Sequence, residues 1–382
     1  MYSLRLIFNN QKYFSAAWVF ASLNILFGTW AIYIPQVKEN LQITEGQLGI
    51  ALFFFAFGTL VFIPFTSVII KKLGLGKATI VAIIGYAIAF LLPFMATSYF
   101  LLAFSLFIVG ATSGFTDVAM NTLVSEIERE DRASFMSASH GFFSLGGVIG
   151  AGVGSYLKLF IESPLLHMCY VSLFVLISNI VLVKNYIHIK GTKRGKEVMD
   201  FKYLKPLLGL SLIGFLIMGS EGAIADWSGL YLKNITMTSS TVLIGLGYTI
   251  FSATMTTGRF LGDYIASKFG ALKIIIAGAL LGAMGYILIL TAYTFVALAG
   301  FGLVGLGFSV IIPELFRLGG KVEGVETSKG ISFIAGTGYV GFLTGPVLLG
   351  FLADIASLKL SFMALLLAAI IVFVIASILR HQ

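Results

Sequence analysis

Four acidic residues stand inside stretches of sequence that are otherwise almost entirely apolar: Asp117, Glu221, Asp226 and Asp263. If these stretches cross a membrane, each acid carries a large penalty, since a charged side chain at the bilayer centre costs about 2.5–3.5 kcal/mol on insertion scales. Acids at such depth bind protons, ions or solutes far more often than acids on a soluble surface do. Each of the four is therefore a candidate for chemistry inside a membrane.

Asp117 has a histidine at matching depth. Asp117 and His140 each lie about eight residues from the short polar segment that joins their two apolar stretches. Neighbouring antiparallel helices would bring them face to face, and a carboxylate beside an imidazole can take up and release a proton near neutral pH. Asn121 follows Asp117 by one helical turn. The alternative is a hydrogen-bonded pair that only locks the two helices together.

Glu221 and Asp226 share one apolar stretch, with Trp227 directly after the second acid. Glu221 is the deepest acid of the second half of the chain, which makes it a second candidate for proton coupling or solute binding. Asp226 and Trp227 lie closer to the end of the stretch. They could form part of an outer gate, or they could be an interfacial tryptophan anchor beside a solvated acid.

Arg259 and Asp263 are four residues apart, so they share one face of a helix and could form an ion pair. We expect this pair to close an inner gate; contact with a solute is the alternative. Glu314, which follows Pro313 at the inner end of a later apolar stretch, is expected to contribute to the same gate.

Composition decides the environment of these residues. The chain is 58% hydrophobic and only 11% charged, with a mean hydropathy of +0.99, whereas a soluble chain is about 25% charged. Many apolar stretches reach the roughly 20 residues that a helix needs to span a bilayer, and backbone groups in hydrocarbon must be paired within a helix. The single cysteine, Cys169, excludes an internal disulfide framework, and no Cys/His metal site is expected. The sequence predicts an all-α membrane protein.

Twelve spans are predicted, with both termini on the cytoplasmic side: 13–35, 47–70, 78–96, 99–124, 133–157, 164–184, 204–232, 241–266, 273–293, 295–316, 329–353 and 359–379. This layout places 20 of the 25 lysines and arginines on the side of the termini and four on the other, with Arg259 alone inside a span. Such a bias is the positive-inside signal. The net charge of +8 is thus an orientation signal, and no nucleic-acid partner is expected.

The two halves of the chain show weak internal similarity at an offset of about 195 residues. Lys72-Leu73-Gly74 matches Lys268-Phe269-Gly270, and the glycines of span 5 fall near those of span 11. We predict an N-terminal six-helix half at 1–184, a cytoplasmic linker at 185–205 and a C-terminal half at 206–382. Two pseudo-symmetric six-helix halves are the plan of the major facilitator fold.

Several strings resemble the major facilitator superfamily, and within it the MosC-like (rhizopine permease-like) branch, which is distantly similar to fucose permeases. The most specific are Gly114-Phe115-Thr116-Asp117-Val118-Ala119-Met120-Asn121 and Glu221-Gly222-Ala223-Ile224-Ala225-Asp226-Trp227-Ser228. The loop between spans 2 and 3 departs from the family pattern, with Lys71 in place of its aspartate, which puts the usual charge latch in doubt. Tyr33 stands where a basic residue is expected.

The resemblance implies a secondary transporter of the bacterial inner membrane, without cofactor or catalytic machinery. Candidate cavity residues on the spans that line the cavity in this fold are Asn24, Trp30, Ser144, Tyr248 and Tyr339. Amide, hydroxyl and aromatic groups suit a sugar- or polyol-like solute, so we expect a monomeric, proton-coupled symporter working by alternating access. The alternatives are efflux of amphipathic or drug-like compounds and, from another class, a transport-inactive sensor or intramembrane enzyme.

Overall fold

The computed structural model describes residues 2–133, 135–190, 205–322 and 327–381; within these ranges the side chains of 2–4, 137, 205, 263, 264, 267, 327–329, 332 and 381 are not described. In the described part of the chain, every regular element is a helix. The chain divides into two compact units. Unit 1 comprises Met1–Arg194 and Ser240–Thr249, and unit 2 comprises Gly195–Ser239 and Ile250–Gln382.

The first half of the chain contains nine α-helices. They are α1 (Tyr2–Asn9), α2 (Gln11–Ala31), α3 (Ile34–Leu41), α4 (Glu45–Leu73), α5 (Leu75–Ala89), α6 (Tyr99–Asp131), α7 (Met136–Gly147), α8 (Gly154–Leu157) and α9 (Pro164–Leu182). A π-helical segment, Val148–Val153, joins α7 to α8. Short 3₁₀ turns follow α5 and α9, at Leu92–Met95 and Val183–Asn185.

The second half contains seven described α-helices after a 3₁₀ turn at Lys205–Leu207. They are α10 (Leu208–Asn234), α11 (Thr241–Phe269), α12 (Ala271–Leu290), α13 (Thr294–Phe308), α14 (Ile311–Gly319), α15 (Thr327–Ile355) and α16 (Leu358–His381).

Ten helical stretches among the described residues are long and apolar enough to cross a membrane. The two predicted spans outside this set correspond to α11 and to the run from α7 through the π-helical segment to α8. α11 is 29 residues long but carries Arg259 and several threonines, and the other run is divided at Val148–Val153. The chain is thus a multi-pass helical protein, and the count of twelve spans stays a prediction.

Local sequence signals explain where the helices begin. The Thr44 hydroxyl accepts a hydrogen bond from the Gln47 backbone while the Gln47 side chain accepts one from the Thr44 backbone, so a reciprocal capping box starts α4. Gly74 and Gly270 precede α5 and α12 with φ of +82° and +83°, a conformation that glycine adopts without strain. These two glycines were matched by the sequence repeat, and the structure gives them the same backbone conformation.

The glycines of span 5 bring two backbones together. A Cβ atom on Gly146 would collide with the carbonyl oxygen of Ala21, and one on Gly150 with that of Ile25, so α2 and the α7–π segment pack at a distance that only glycine permits. Helices in lipid lack a hydrophobic drive to associate, and small residues make such contacts possible. The contact fixes the position of α2, which carries Asn24, against the α7–π segment.

Unit 2 repeats this arrangement between α10 and α15. A Cβ atom on Gly341 would collide with the Phe215 carbonyl oxygen, and one on Gly345 would approach the Gly219 carbonyl oxygen at 3.1 Å. Gly341 and Gly345 are the positions that the sequence repeat matched to Gly146 and Gly150. The close contact fixes α10, which carries Glu221 and Asp226.

Backbone hydrogen bonds join the loop between α4 and α5 to the segment after α9. The backbone N–H of Leu75 donates to the carbonyl of Lys190 at 3.3 Å, and that of Gly76 donates to Ile189 at 2.8 Å. The segment after α9 therefore satisfies N–H groups in the first turn of α5 that have no partner within their helix. This contact occupies the loop in which the sequence departs from the family pattern.

Candidate functional site

Glu221 and Arg259 form an ion pair within unit 2. Nη2 of Arg259 donates to Oε2 of Glu221 at 3.5 Å, and the two side chains are 16% and 18% exposed. The other carboxylate oxygen, Oε1, is buried and has no hydrogen-bond partner. α10 and α11 thus bring together two residues that the sequence analysis had assigned to separate roles, the deep acid and the gating arginine.

The predicted Arg259–Asp263 pair is not described, because the side chain of Asp263 lies outside the described residues. Glu314, the third predicted member of the inner gate, is buried and pairs with Arg317 on its own helix at 3.3 Å. A role of these residues in gating stays a prediction.

Asp226 and Trp227 are both buried in unit 2. Asp226 is 7% exposed and Trp227 is 0% exposed, with its indole nitrogen Nε1 buried and without a partner. An interfacial tryptophan anchor beside a solvated acid requires exposed side chains, so that alternative is wrong. The gating role predicted for this pair is not tested by burial and stays a prediction.

Asp117 and Asn121 interact along α6 in unit 1. Nδ2 of Asn121 donates to Oδ1 of Asp117 at 3.2 Å and to the Asp117 carbonyl at 2.9 Å. His140 is exposed on α7, and its ring meets the edge of Phe20 with 5.2 Å between centroids. The helical turn thus joins Asp117 to Asn121 as predicted from their spacing, and direct pairing of Asp117 with His140 stays a prediction.

Two predicted cavity residues contact each other in unit 1. The Tyr248 hydroxyl donates to Oδ1 of Asn24 at 3.2 Å, and Nδ2 of Asn24 donates to the Phe143 carbonyl at 2.9 Å. Asn24 is buried, so its amide is held in one orientation by two hydrogen bonds. This fixed amide joins α2 to the first part of α11.

The other three predicted cavity residues are Trp30, Ser144 and Tyr339. Trp30 is 1% exposed and packs against the edge of Phe94, with 5.6 Å between ring centroids. Ser144 is buried and its hydroxyl donates to the His140 carbonyl at 3.5 Å. Tyr339 on α15 is half-buried. Contact of these three residues with a solute stays a prediction.

Sequence reasoning missed a buried tyrosine in each unit. Tyr86 on α5 and Tyr286 on α12 are each 0% exposed. Tyr86 interacts electrostatically with Asp117, and Tyr286 interacts electrostatically with Glu221. The sequence repeat did not point to these residues, since the offset of 196 that matches Gly74 to Gly270 carries Tyr86 to Gly282.

A cluster at the end of α2 was also missed. The Tyr33 hydroxyl lies 2.9 Å from Nδ1 of His167, and Nζ of Lys158 stands 4.3 Å from the centre of the Tyr33 ring. Lys158 also donates to the Ile32 carbonyl at 3.3 Å. The sequence analysis noted Tyr33 only as a departure from the family, because residues 125 and 134 positions further along the chain supply its partners.

The sequence that forms this architecture matches the model of a known protein family. The family model described as Major Facilitator Superfamily matches residues 14–321. The chain belongs to the major facilitator superfamily. An uncharacterised transporter of this superfamily from Yersinia pestis is 31% identical over 349 residues, 89% of each chain. The membrane protein MosC of Rhizobium meliloti is 28% identical over 371 residues, 94% of this chain and 88% of MosC.

More distant relatives of this major facilitator protein include proteins with named solutes. The L-fucose-proton symporter of Escherichia coli is 24% identical over 387 residues, covering 88% of this chain and 87% of the symporter. Among solved structures, the nucleoside transporter NupG superposes with a TM-score of 0.75 at 11% identity, over 98% of this chain and 100% of NupG. The major facilitator transporter FucP in the outward conformation superposes with a TM-score of 0.62 at 20% identity, over 95% of this chain and 99% of FucP.

Membership of the superfamily settles the general activity. This major facilitator protein is a multi-pass secondary transporter of the bacterial inner membrane that moves a small molecule and is not an enzyme. Its two units each hold a half-buried carboxylate with polar neighbours, Asp117 in unit 1 and Glu221 in unit 2. Chemically, each can exchange a proton or accept a hydrogen bond from a solute.

Proposed function

We propose that this protein is a proton-coupled transporter of a small sugar- or polyol-like solute that works by alternating access. In this proposal it acts as a monomer of twelve spans with both termini in the cytoplasm. The N-terminal half (1–184) and the C-terminal half (206–382) move relative to each other around the cytoplasmic linker (185–205). Asp117 and Glu221 are the residues that we expect to bind protons.

The Glu221–Arg259 pair carries the proposal. The contact between the two side chains is long, at 3.5 Å, and Oε1 of Glu221 has no hydrogen-bond partner among the described residues. A proton that binds Oε1 neutralises the carboxylate and removes most of the attraction for Arg259, since a neutral acid no longer forms an ion pair. Proton binding would thereby weaken the contact between α10 and α11, which gives a physical link between protonation and a change of conformation.

The proposal of a sugar- or polyol-like solute is based on polar side chains in unit 1 and on one relative with a named solute. Asn24 and Tyr248 offer an amide and a phenol that can hydrogen-bond to hydroxyl groups. One relative over most of the chain is an L-fucose-proton symporter, which couples a sugar to protons. Both observations favour a hydroxyl-rich solute over an apolar one.

Transport in proteoliposomes tests the proposal. The purified protein is reconstituted with a pH-sensitive dye inside the vesicles, and L-fucose or myo-inositol is added outside at equal pH. We expect the interior to acidify with one of the two solutes, because a symporter carries protons inward with its solute. Glu221→Gln and Asp117→Asn should each abolish the proton signal, since an amide does not titrate.

Glu45→Gln is the matched control, because Glu45 is the first residue of α4, outside the predicted span 47–70, and pairs with Lys38 at 3.0 Å. It should acidify the vesicles like the wild type. Uptake of a solute with no proton signal in the wild type would contradict coupling. Movement of an amphipathic cation such as ethidium, with no uptake of either sugar or polyol, would instead support the efflux alternative.

A further inference from the structure

Four exposed lysines meet in unit 1 where α4, α5 and the segment after α9 come together. Lys71 and Lys72 lie in the last turn of α4, and Lys77 lies in the first turn of α5. Lys190 lies in the segment that follows α9, far from the other three along the chain. We call these four residues the basic cluster.

Backbone contacts bring the two parts of the basic cluster together. The Leu75 N–H donates to the Lys190 carbonyl at 3.3 Å, and the Gly76 N–H donates to the carbonyl of Ile189 at 2.8 Å. A Cβ atom on Gly76 would lie 2.7 Å from the Cα atom of Ile187, which is closer than two nonbonded carbon atoms approach. A glycine at this position therefore lets the segment after α9 lie against α5 and place Lys190 in the cluster.

The charges of the basic cluster are not balanced by neighbouring acids. On the same predicted side of unit 1, Glu126 pairs with Arg129 and Asp131 pairs with Lys12. No acid in the described part of the chain forms an ion pair with a lysine of the cluster. Four positive charges close together make this surface attractive to anions.

The basic cluster lies at the edge of a surface that is apolar and exposed. Leu73 at the end of α4 is 43% exposed, and Ile187 is 38% exposed. Further into α4, Phe65 and Val68 are 57% and 51% exposed. Exposed apolar side chains on a membrane-spanning helix contact lipid chains, and lysines at the end of such a helix extend their ammonium groups to the headgroups. The cluster therefore lies at the level of the lipid phosphates.

The matching loop in the second half of the chain lacks this arrangement. Lys268 and Lys273 stand at the places of Lys72 and Lys77, but Leu272 stands where the first half has a glycine. A Cβ atom on Gly270, which begins this loop, meets nothing within 4 Å among the described residues. The basic cluster is thus a feature of the first half and not a general feature of the repeat.

We propose that the basic cluster is a binding site for the phosphate groups of anionic phospholipids. The four ammonium groups bind the phosphodiester oxygens, and the exposed Leu73 and Ile187 contact the acyl chains of the same lipid. The predicted orientation puts this site in the cytoplasmic leaflet. Phosphatidylglycerol and cardiolipin share this headgroup chemistry. The inference is independent of the proposed proton coupling, because it involves neither the solute nor the intramembrane acids.

Native mass spectrometry of the full-length protein in detergent tests the inference. The delipidated protein is titrated with cardiolipin, with phosphatidylglycerol and with the zwitterionic lipid phosphatidylcholine. We expect Lys72→Gln/Lys77→Gln/Lys190→Gln to raise the Kd of the first bound anionic lipid at least about tenfold, since each lysine near an anionic headgroup contributes about fivefold. Binding of phosphatidylcholine should not change. An unchanged Kd for both anionic lipids would overturn the inference.

Lys268→Gln/Lys273→Gln/Lys321→Gln is the matched control. It removes three exposed lysines on the same predicted side and changes the net charge by the same amount. We expect it to raise the Kd by less than about twofold, because dispersed exposed charges are screened by salt. Equal weakening by the two triple variants would overturn the inference, since lipid binding would then follow the net charge and not the cluster.

Gly76→Ala tests the arrangement without changing any charge. The new methyl group would collide with the Tyr186 carbonyl and with Ile187, push the segment after α9 away from α5 and separate Lys190 from the other lysines. We expect weaker binding of both anionic lipids. Gly85→Ala on the same helix is the control, because a Cβ atom there is in ordinary contact with Thr112 at 3.6 Å. Unchanged affinity in Gly76→Ala would overturn the inference, and the lysine variants decide it if Gly76→Ala does not fold.

Discussion

The Tyr33 cluster shows how single residues stabilise one end of unit 1. The Tyr33 hydroxyl is buried and lies 2.9 Å from Nδ1 of His167. The Lys158 ammonium over the ring adds a cation–π contact, worth about 0.5–2 kcal/mol depending on its desolvation. Tyr33 follows α2, Lys158 follows α8 and His167 lies in α9. Their contacts therefore connect the ends of these three helices.

Loss of the Tyr33 hydroxyl should destabilise the protein. Tyr33→Phe leaves Nδ1 of His167 without its phenol partner, and Nε2 of the same ring is already buried without one. We expect a loss of about 1–3 kcal/mol, seen as a lower melting temperature of the purified protein. Tyr186→Phe removes a buried hydroxyl that has no partner, and it should not lower the melting temperature. Equal melting temperatures for the two variants would contradict the role of Tyr33.

Sequence identified the acids but only one of their partners, Asn121 for Asp117. Asp117, Glu221 and Asp226 stand out because charge is rare in apolar stretches. Arg259 was assigned to Asp263 because side chains four apart on a helix are neighbours, and the structure adds a contact with Glu221, 38 positions earlier in the chain. Partners such as His167 for Tyr33 are likewise set by tertiary packing, which a single sequence does not encode locally.

At the scale of elements, the glycine contacts decide which helices pack closely. Gly341→Ala should weaken the α10–α15 contact, because the new methyl group would collide with the Phe215 carbonyl and push the two backbones apart. We expect a lower melting temperature and a smaller yield of monodisperse protein.

Gly336→Ala is a matched control in the same helix. A Cβ atom there meets nothing within 4 Å, and alanine favours a helix over glycine by about 1 kcal/mol. The variant should therefore be as stable as the wild type or more stable. If both alanine variants had the same stability, close packing at Gly341 would not contribute to the fold.

The positions of the membrane-spanning helices could be predicted from the length of the apolar stretches, but the interruptions within those helices could not. Predicted spans 2 and 4 lie within α4 and α6, and Gly74 and Gly270 mark the same break in both halves. The π-helical segment Val148–Val153 inside predicted span 5 left no sequence signal that we recognised. The extra helix α3, with Pro35 in its first turn, was expected as the end of span 1 and a loop.

At the scale of the whole molecule, the family plan was predictable, since composition gave the class and family motifs gave the fold. Orientation rests on the distribution of positive charge alone, 20 residues against four. Labelling of single cysteines in a Cys169→Ser background tests it. Glu39→Cys should react with an impermeant maleimide on intact spheroplasts, and Lys190→Cys only after lysis. The reverse pattern would contradict the predicted orientation.

The most direct test of the central claim separates solute binding from proton coupling at Glu221. Proteoliposomes are assayed in two ways with labelled L-fucose and labelled myo-inositol: uptake driven by an imposed inward proton gradient, and counterflow against the same solute inside at equal pH. For Glu221→Gln we predict that gradient-driven accumulation is lost while counterflow persists, because the amide still binds solute but carries no proton. Accumulation at the wild-type level in Glu221→Gln would contradict the proposed coupling role.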